Sequence, residues 1–226
     1  MSKVLAELLK DLPQTSVLNS SFSKDDYVKL DLSSNNIDLR TFDLSSSEIL
    51  DDYITGYRIK NKAKIAYGGY LEKRNIYNRS SHFKPENKNN ERNIHLGLDL
   101  WLETESPIFA PLDGIVHSCK NNENFGDYGP TIILKHVYEQ INFYTLYGHL
   151  SIESISDLMV GQQITKGQLL ATLGTPEING DYAPHLHFQI IKDIENYIGD
   201  YPGVCSEDSL DFYAENCIDP NILLRL

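Results

Sequence analysis

The chain is short of cysteine, short of positive charge, and without a long apolar run. Its three cysteines, Cys119, Cys205 and Cys217, are an odd number with no Cys-x-x-Cys spacing. Neither a disulfide framework nor a thiolate metal site is indicated, and free thiols are expected. Lysine and arginine number 20 against 32 aspartates and glutamates, a net charge of −12. Such a surface repels phosphate, which argues against a protein that grips nucleic acid or an anionic membrane. No stretch is long and apolar enough to span a bilayer, so integral membrane association is not expected. The apolar stretch from Val4 to Leu12 is broken by Glu7, Lys10 and Asp11 and does not make the hydrophobic segment of a secretory signal. A cytoplasmic protein, export without a leader, and a trimmed chain all fit that pattern; the oligomeric state is equally open. What is present is ordinary globular material: 226 residues, 41% hydrophobic, enough to bury a core without cross-links.

That length suggests one domain plus an extension. Val4, Leu5, Leu8, Leu9 and Leu12 share one face of a helix that Pro13 would stop. Val28, Leu30 and Leu32 alternate with polar neighbours as in a half-buried strand. Ser45, with Glu48 three residues on, reads as a capping box for a second helix through about Tyr57, with Ile49, Leu50, Tyr53 and Ile54 as its apolar face. The run from His82 to Asn93 has no hydrophobic residue after Phe83 and reads as a solvated loop or boundary. From Pro107 to Lys192 come short β-type runs, IFAPLDGIVHSC, TIILKHV, NFYTLYGHL, QLLATLG and HLHFQII. Gly, Pro, Asn and Asp separate them, the pattern of an antiparallel all-β core.

The seven histidines are unevenly placed. His95 and Asp99 bracket LGL, His149 sits in YGHL, and His185 and His187 bracket Leu186. Strand side chains two apart share a face, so His185 and His187 reach one site together. His95 and Asp99, four apart, also share a face where the chain is extended. Two imidazoles and a carboxylate, completed by water, are the ligand set of an open catalytic zinc site. Singly the motifs are weak: His149 alone reads as a satisfied core histidine, and cupin-type oxygenases and isomerases also use His-x-His. His117 and His136 read as strand residues with hydrogen-bonded side chains, and His82 as an exposed loop residue.

Taken in order, HLGLDL, APLDGIV, YGHL, ITKGQLLATLG and APHLHFQI resemble the lysostaphin-type or LytM zinc endopeptidases of peptidase family M23, over roughly His95 to Lys192. The resemblance implies a mainly β fold, a twisted antiparallel β-sheet LytM/M23 core with metal held in a groove. It divides the chain into an α+β N-terminal extension (1–90), the peptidase domain (91–195) and a C-terminal tail packing on it (196–226). It also implies one Zn2+ ion held by His95, Asp99 and His187, with His149 and His185 as non-ligand catalytic histidines. GGYLEKRNIYNRS and GDYPGVC are similar to a branch found beside kinase-like and aminotransferase-like domains, for which cell-wall cleavage is a less certain task. In the groove-lining turn FGDYGP, Asp127 and Pro130 depart from the family's glycine-rich form. Tyr144 and Tyr147 alternate on a strand, so one is expected at the groove and the other in the core.

The activity implied is zinc-dependent hydrolysis of peptide bonds, in peptidoglycan or other short small-residue peptides. An amide is a poor electrophile and neutral water a poor nucleophile; zinc with an open position improves both. A histidine beside it can take a proton from water and pass one to the leaving amine, and a protonated imidazole can donate to the oxyanion. The alternative is a non-hydrolytic or regulatory module whose groove is occluded by the segment before His95. In relatives such a segment sometimes donates an asparagine ligand; Asn87 to Asn93 would offer one, although a solvated loop is the expected role. No wall-binding domain is evident, and the charge of −12 weighs against adsorption to a polyanionic wall polymer.

Overall fold

Leucines three and four residues apart build the first element. Helix α1 (Ser2–Asp11) buries Leu5, Leu8 and Leu9 and ends before Pro13, which has no N–H with which to continue a helix. Val4, one residue before Leu5 and rotated off its face, is half exposed. The computed structural model describes residues 2–43, 46–79 and 91–226; Ser45, His82 and Asn87 to Asn90 lie outside them. Strand β1 (Tyr27–Lys29) is shorter than the alternation from Val28 to Leu32 suggests. Leu30 and Leu32 remain buried beyond its ladder. Helix α2 (Ser47–Lys60) starts one residue later than Ser45 would place it, because the Ser46 side chain accepts from the Ile49 N–H at 3.2 Å. Glu48 is then the second helical residue, and no capping box forms. Leu50 and Ile54 are buried as expected, whereas Ile49 is exposed. The helix continues a turn past Tyr57, where the buried Arg58 reaches Glu103 at 2.8 Å and the Lys64 carbonyl at 2.9 Å.

The remaining elements are β2 (Ile65–Gly68), β3 (Ile94–His95), β4 (Leu98–Trp101), β5 (Pro107–Phe109), β6 (Gly114–Asn122), β7 (Gly129–Tyr138) and β8 (Ile141–Gly148). They continue with α3 (Glu153–Ser156), β9 (Gln163–Ile164), β10 (Leu169–Thr172), β11 (His185–Ile191), β12 (Val204–Cys205), α4 (Leu210–Asn216), β13 (Cys217–Ile218) and α5 (Asn221–Leu224). One large sheet has the order β1-β2-β4-β11-β8-β7-β6-β9, with β13 also on β11. Its pairs are antiparallel except β1 with β2, so the expected antiparallel core is mixed at one edge. β5 with β10 and β3 with β12 form two small ribbons.

Both faces of the sheet are covered. Ile132 and Leu134 of β7 face a core shared with Leu5 and Leu9 of α1, Phe143, Phe188 and Leu223 of α5. Ile133, pointing the other way, packs with Leu96, Leu146 and Tyr201. Fully buried strands of this kind read as continuous apolar runs, which is why TIILKHV lacks alternation.

His136 is buried within β7, with Nδ1–H donating to the Asp113 carbonyl at 2.8 Å and Nε2 meeting the Thr145 hydroxyl at 2.8 Å. Burial pushes its pKa from 6.5 down to about 4. Between those values the unfolded chain takes up a proton that the folded chain refuses, so stability falls as pH drops from 6.5 towards 4. In urea unfolding of the metal-free protein, His136→Gln is expected to lose about 2–3 kcal/mol less than the parent between pH 7 and 4.5. An equal loss in both proteins would assign the acid sensitivity to other groups.

Candidate metal centre

Five polar side chains meet where β4, β11 and the end of β8 lie side by side. Asp99 is paired in register with His187 across β4 and β11, and His187 with Gly148 across β11 and β8. The period of two along β11 places His185 on the same face as His187. His149 follows β8 in the left-handed region, φ +63°, its N–H donating to the Tyr128 carbonyl at 2.8 Å. His95 ends β3. Gly97, between β3 and β4, lets the backbone pass close to His187: a Cβ there would lie 2.6 Å from two of its ring atoms. All five side chains are buried.

Three donor atoms converge. His95 Nε2 is 2.9 Å from His187 Nδ1, and Asp99 Oδ1 is 3.2 Å from each. The outer hydrogen bonds place the ring protons. His95 donates Nδ1–H to the Gly69 carbonyl at 2.9 Å, and His187 donates Nε2–H to Gln189 Oε1 at 3.0 Å. Gln189 is itself oriented by its amide N–H groups, on the Pro202 carbonyl at 3.2 Å and Cys217 Sγ at 3.0 Å. With each ring in its neutral form the two inner nitrogens then face the carboxylate oxygen as lone pairs, an arrangement that a cation relieves. Corners of a tetrahedron with bonds of about 2.1 Å lie about 3.4 Å apart, close to these separations. The donor set fits one divalent ion with a fourth position free. Among the described residues it is the only cluster of three or more His, Cys, Asp or Glu groups near enough to share an ion.

The protonation states suit that task. Burial alone would raise the Asp99 carboxyl, but His95 and Arg74 more than offset it and hold it well below the usual carboxylate range. Burial, then the charge of Arg74, lowers His95 to about 3. An ionised carboxylate and a neutral imidazole are the forms that bind metal.

His149 and His185 stand beside the triangle. Each donates Nδ1–H to a backbone carbonyl at 2.7 Å, of Asn179 and Ala183 respectively. Each Nε2 is then left with a lone pair. The two rings are 4.2 Å apart, His185 stacks on Trp101 at 5.7 Å, and His185 Nε2 is 3.7 Å from Asp99 Oδ1. Burial lowers the pKa of both, His149 well below its ordinary value. The five groups open on a cavity of about 220 Å³ whose lining includes Tyr128, Tyr182 and Tyr197 together with Leu50, Ile76 and Tyr77.

Elsewhere the expectations meet mixed outcomes. His117 bonds the Ser118 hydroxyl at 2.9 Å and, like His136, is a strand residue away from the cavity. Asp127 lines the cavity. Neither Tyr144 nor Tyr147 does: Tyr147 is fully buried against Phe188, and Tyr144, half-buried, packs on His117. The three cysteines are free. Two residues that organise the site, Gln189 and Arg74, are not singled out by the motifs, although Gln189 is two residues from His187 on the same strand face.

Residues 93–198 match peptidase family M23. Among curated proteins, an uncharacterized metalloprotease of Haemophilus influenzae is 32% identical over 95 residues, covering 42% of this chain and 18% of its own length. Peptidoglycan DD-endopeptidase ShyC of Vibrio cholerae is 27% identical over 147 residues, 63% of this chain and 31% of its own. This chain thus spans less than a third of the length of either relative. Of solved structures, the catalytic domain of the antimicrobial peptidase lysostaphin from Staphylococcus simulans aligns with a TM-score of 0.36 and 22% identity, over 54% of this chain and 80% of that one.

Proposed function

From the match of residues 93–198 to peptidase family M23, we propose that the protein is a zinc-dependent endopeptidase. In it, His95, Asp99 and His187 hold one Zn2+ ion while His149 and His185 handle protons. The observation that carries this is the convergence of two imidazole nitrogens and one carboxylate oxygen within 3.2 Å of one another, with the other nitrogen of each ring on an outer oxygen acceptor. Bound zinc supplies a polarised carbonyl and a water whose pKa falls from about 15.7 to about 7. The protein's own part is to position and to move protons. His149 and His185, neutral and anchored through Nδ1–H, each offer Nε2 to receive the proton of the attacking water. An imidazolium formed there keeps its backbone anchor, and because burial disfavours its charge it returns the proton readily to the leaving amine. The second ring, its centroid 4.2 Å from the first, is assigned the role of donating to the oxyanion once protonated.

The substrate class supported best is a short peptide of the peptidoglycan type, since one relative is named a peptidoglycan DD-endopeptidase. One observation favours a second reading, a regulatory module with an occluded site. The five side chains are each 6% exposed or less, and Leu50, Ile76 and Tyr77, all preceding residue 91, are part of the cavity wall. Metal analysis of the purified protein, then incubation with purified peptidoglycan and with pentaglycine, with and without chelator, separates the two. One equivalent of zinc with chelator-sensitive release of new amino groups is expected. Stoichiometric zinc with no cleavage of either substrate would favour the regulatory module.

A further inference from the structure

Behind Asp99 lies a group that the proposed chemistry does not use. Arg74 is 2% exposed, and its guanidinium is held between two carboxylates. Nε donates to Glu72 Oε2 at 2.6 Å and Nη1 to Asp99 Oδ2 at 2.6 Å, with the Tyr77 hydroxyl 3.5 Å from Nη1. Nη2 has no hydrogen-bond partner among the described residues. It occupies space left by Gly69, where φ is +107° and a Cβ would collide with both Nη2 and the His95 ring. The Trp101 ring lies 5.7 Å below the guanidinium carbon. Burial works against the charge of Arg74, but Tyr77, Asp99 and Glu72 more than compensate.

A buried arginine with an unpaired nitrogen is an expensive way to hold a fold together; apolar residues of similar volume are often neutral or stabilising in its place. What the expense secures is the state of Asp99. A carboxylate with both oxygens free can turn either or both towards a cation. Here the short charge-assisted bond engages Oδ2, so that Oδ1 alone faces His95 and His187. The planar fork matters, because Nε and Nη1 address two carboxylates in one plane, which a lysine ammonium does not reproduce.

We propose that Arg74 is a positioning residue that restricts Asp99 to one-oxygen donation through Oδ1, with Glu72 holding the guanidinium from its far side. This rests on His95, Asp99 and His187 being the metal ligands. Cobalt(II) titration of the metal-free protein tests it without reference to catalysis. Affinity is read by chelator competition, and coordination number by the visible d–d absorption, which is strong for four ligands and weak for five or six. Arg74→Met is expected to weaken cobalt binding 10–100-fold, the range usual for outer partners of metal ligands. Its d–d bands should drop as Oδ2 joins the ion. Arg74→Lys, which keeps the charge and protects against misfolding, is expected to show the same spectral change to a lesser degree. Glu72→Gln, which leaves the Asp99 bond intact, should keep the parent spectrum. Parent spectra and affinities in both Arg74 variants would overturn the role of Arg74 alone. No cobalt binding by the parent protein would overturn the metal site and this role with it.

Discussion

His187→Ala is expected to leave the purified protein without metal and without peptidase activity. The substitution removes one corner of the donor triangle, leaving His95 Nε2 and Asp99 Oδ1 3.2 Å apart with no third partner. It also strands Gln189, whose Oε1 then loses its donor. The fall in zinc affinity should exceed the 10–100-fold that loss of an outer-shell partner costs. Metal content after dialysis and competition against a chromophoric chelator measure it directly. A thermal shift on zinc addition should appear in the parent and disappear in the variant, because a ligand that binds only the folded state stabilises in proportion to the logarithm of its concentration over Kd. A full equivalent of zinc retained by His187→Ala would transfer the ligand role to His185, whose Nε2 lies 3.7 Å from the same carboxylate oxygen.

His149→Ala and His185→Ala are expected to give the opposite separation, full metal and little turnover. Their Nδ1 atoms are tied to the Asn179 and Ala183 carbonyls, and neither supplies a corner of the donor triangle. Loss of a general acid or base typically lowers the rate about 10²–10⁴-fold. That loss should appear in kcat rather than KM for a group that acts only on protons in flight. His185→Ala also removes the ring stacked on Trp101, so its fold is checked by circular dichroism beside the parent. Loss of bound zinc from either variant would refute the division between ligands and proton carriers.

How far the site could be read in advance varies by residue. His185 and His187 were legible because a strand's period of two is rigid, and β11 is a regular seven-residue strand. His95 and Asp99 were legible as a pair, but not through the simple extended segment imagined: they belong to different strands, β3 and β4, with Gly97 between. Gln189 obeys the same period as the histidines and is missed only because a glutamine in an apolar run carries no chemistry of its own. Arg74 was not legible at all, since an arginine in GGYLEKRNIY looks like solvated charge, and only the tertiary fold brings it to Asp99, 25 positions on. In α2 the cap is Ser46 and not the expected Ser45, because the Ser46 side chain accepts from the Ile49 N–H, a matter of geometry that composition does not decide. The two-residue strands β3, β9, β12 and β13 have no local signature, being defined by their pairing partners.

The pairing of β2 with β4 bears on how the protein can be dissected. β4 carries Asp99, and one of its sides is closed by β2, whose Gly68 is in register with Asp99 itself. A fragment beginning near residue 91 would present β4 as a bare edge with unsatisfied N–H and C=O groups, the kind of surface that seeds strand-to-strand aggregation. The same cut would uncover the apolar surface beneath Leu5 and Leu9. Excising the family-matching stretch therefore does more than open the candidate metal centre; it removes the strand against which the Asp99 carboxylate is built.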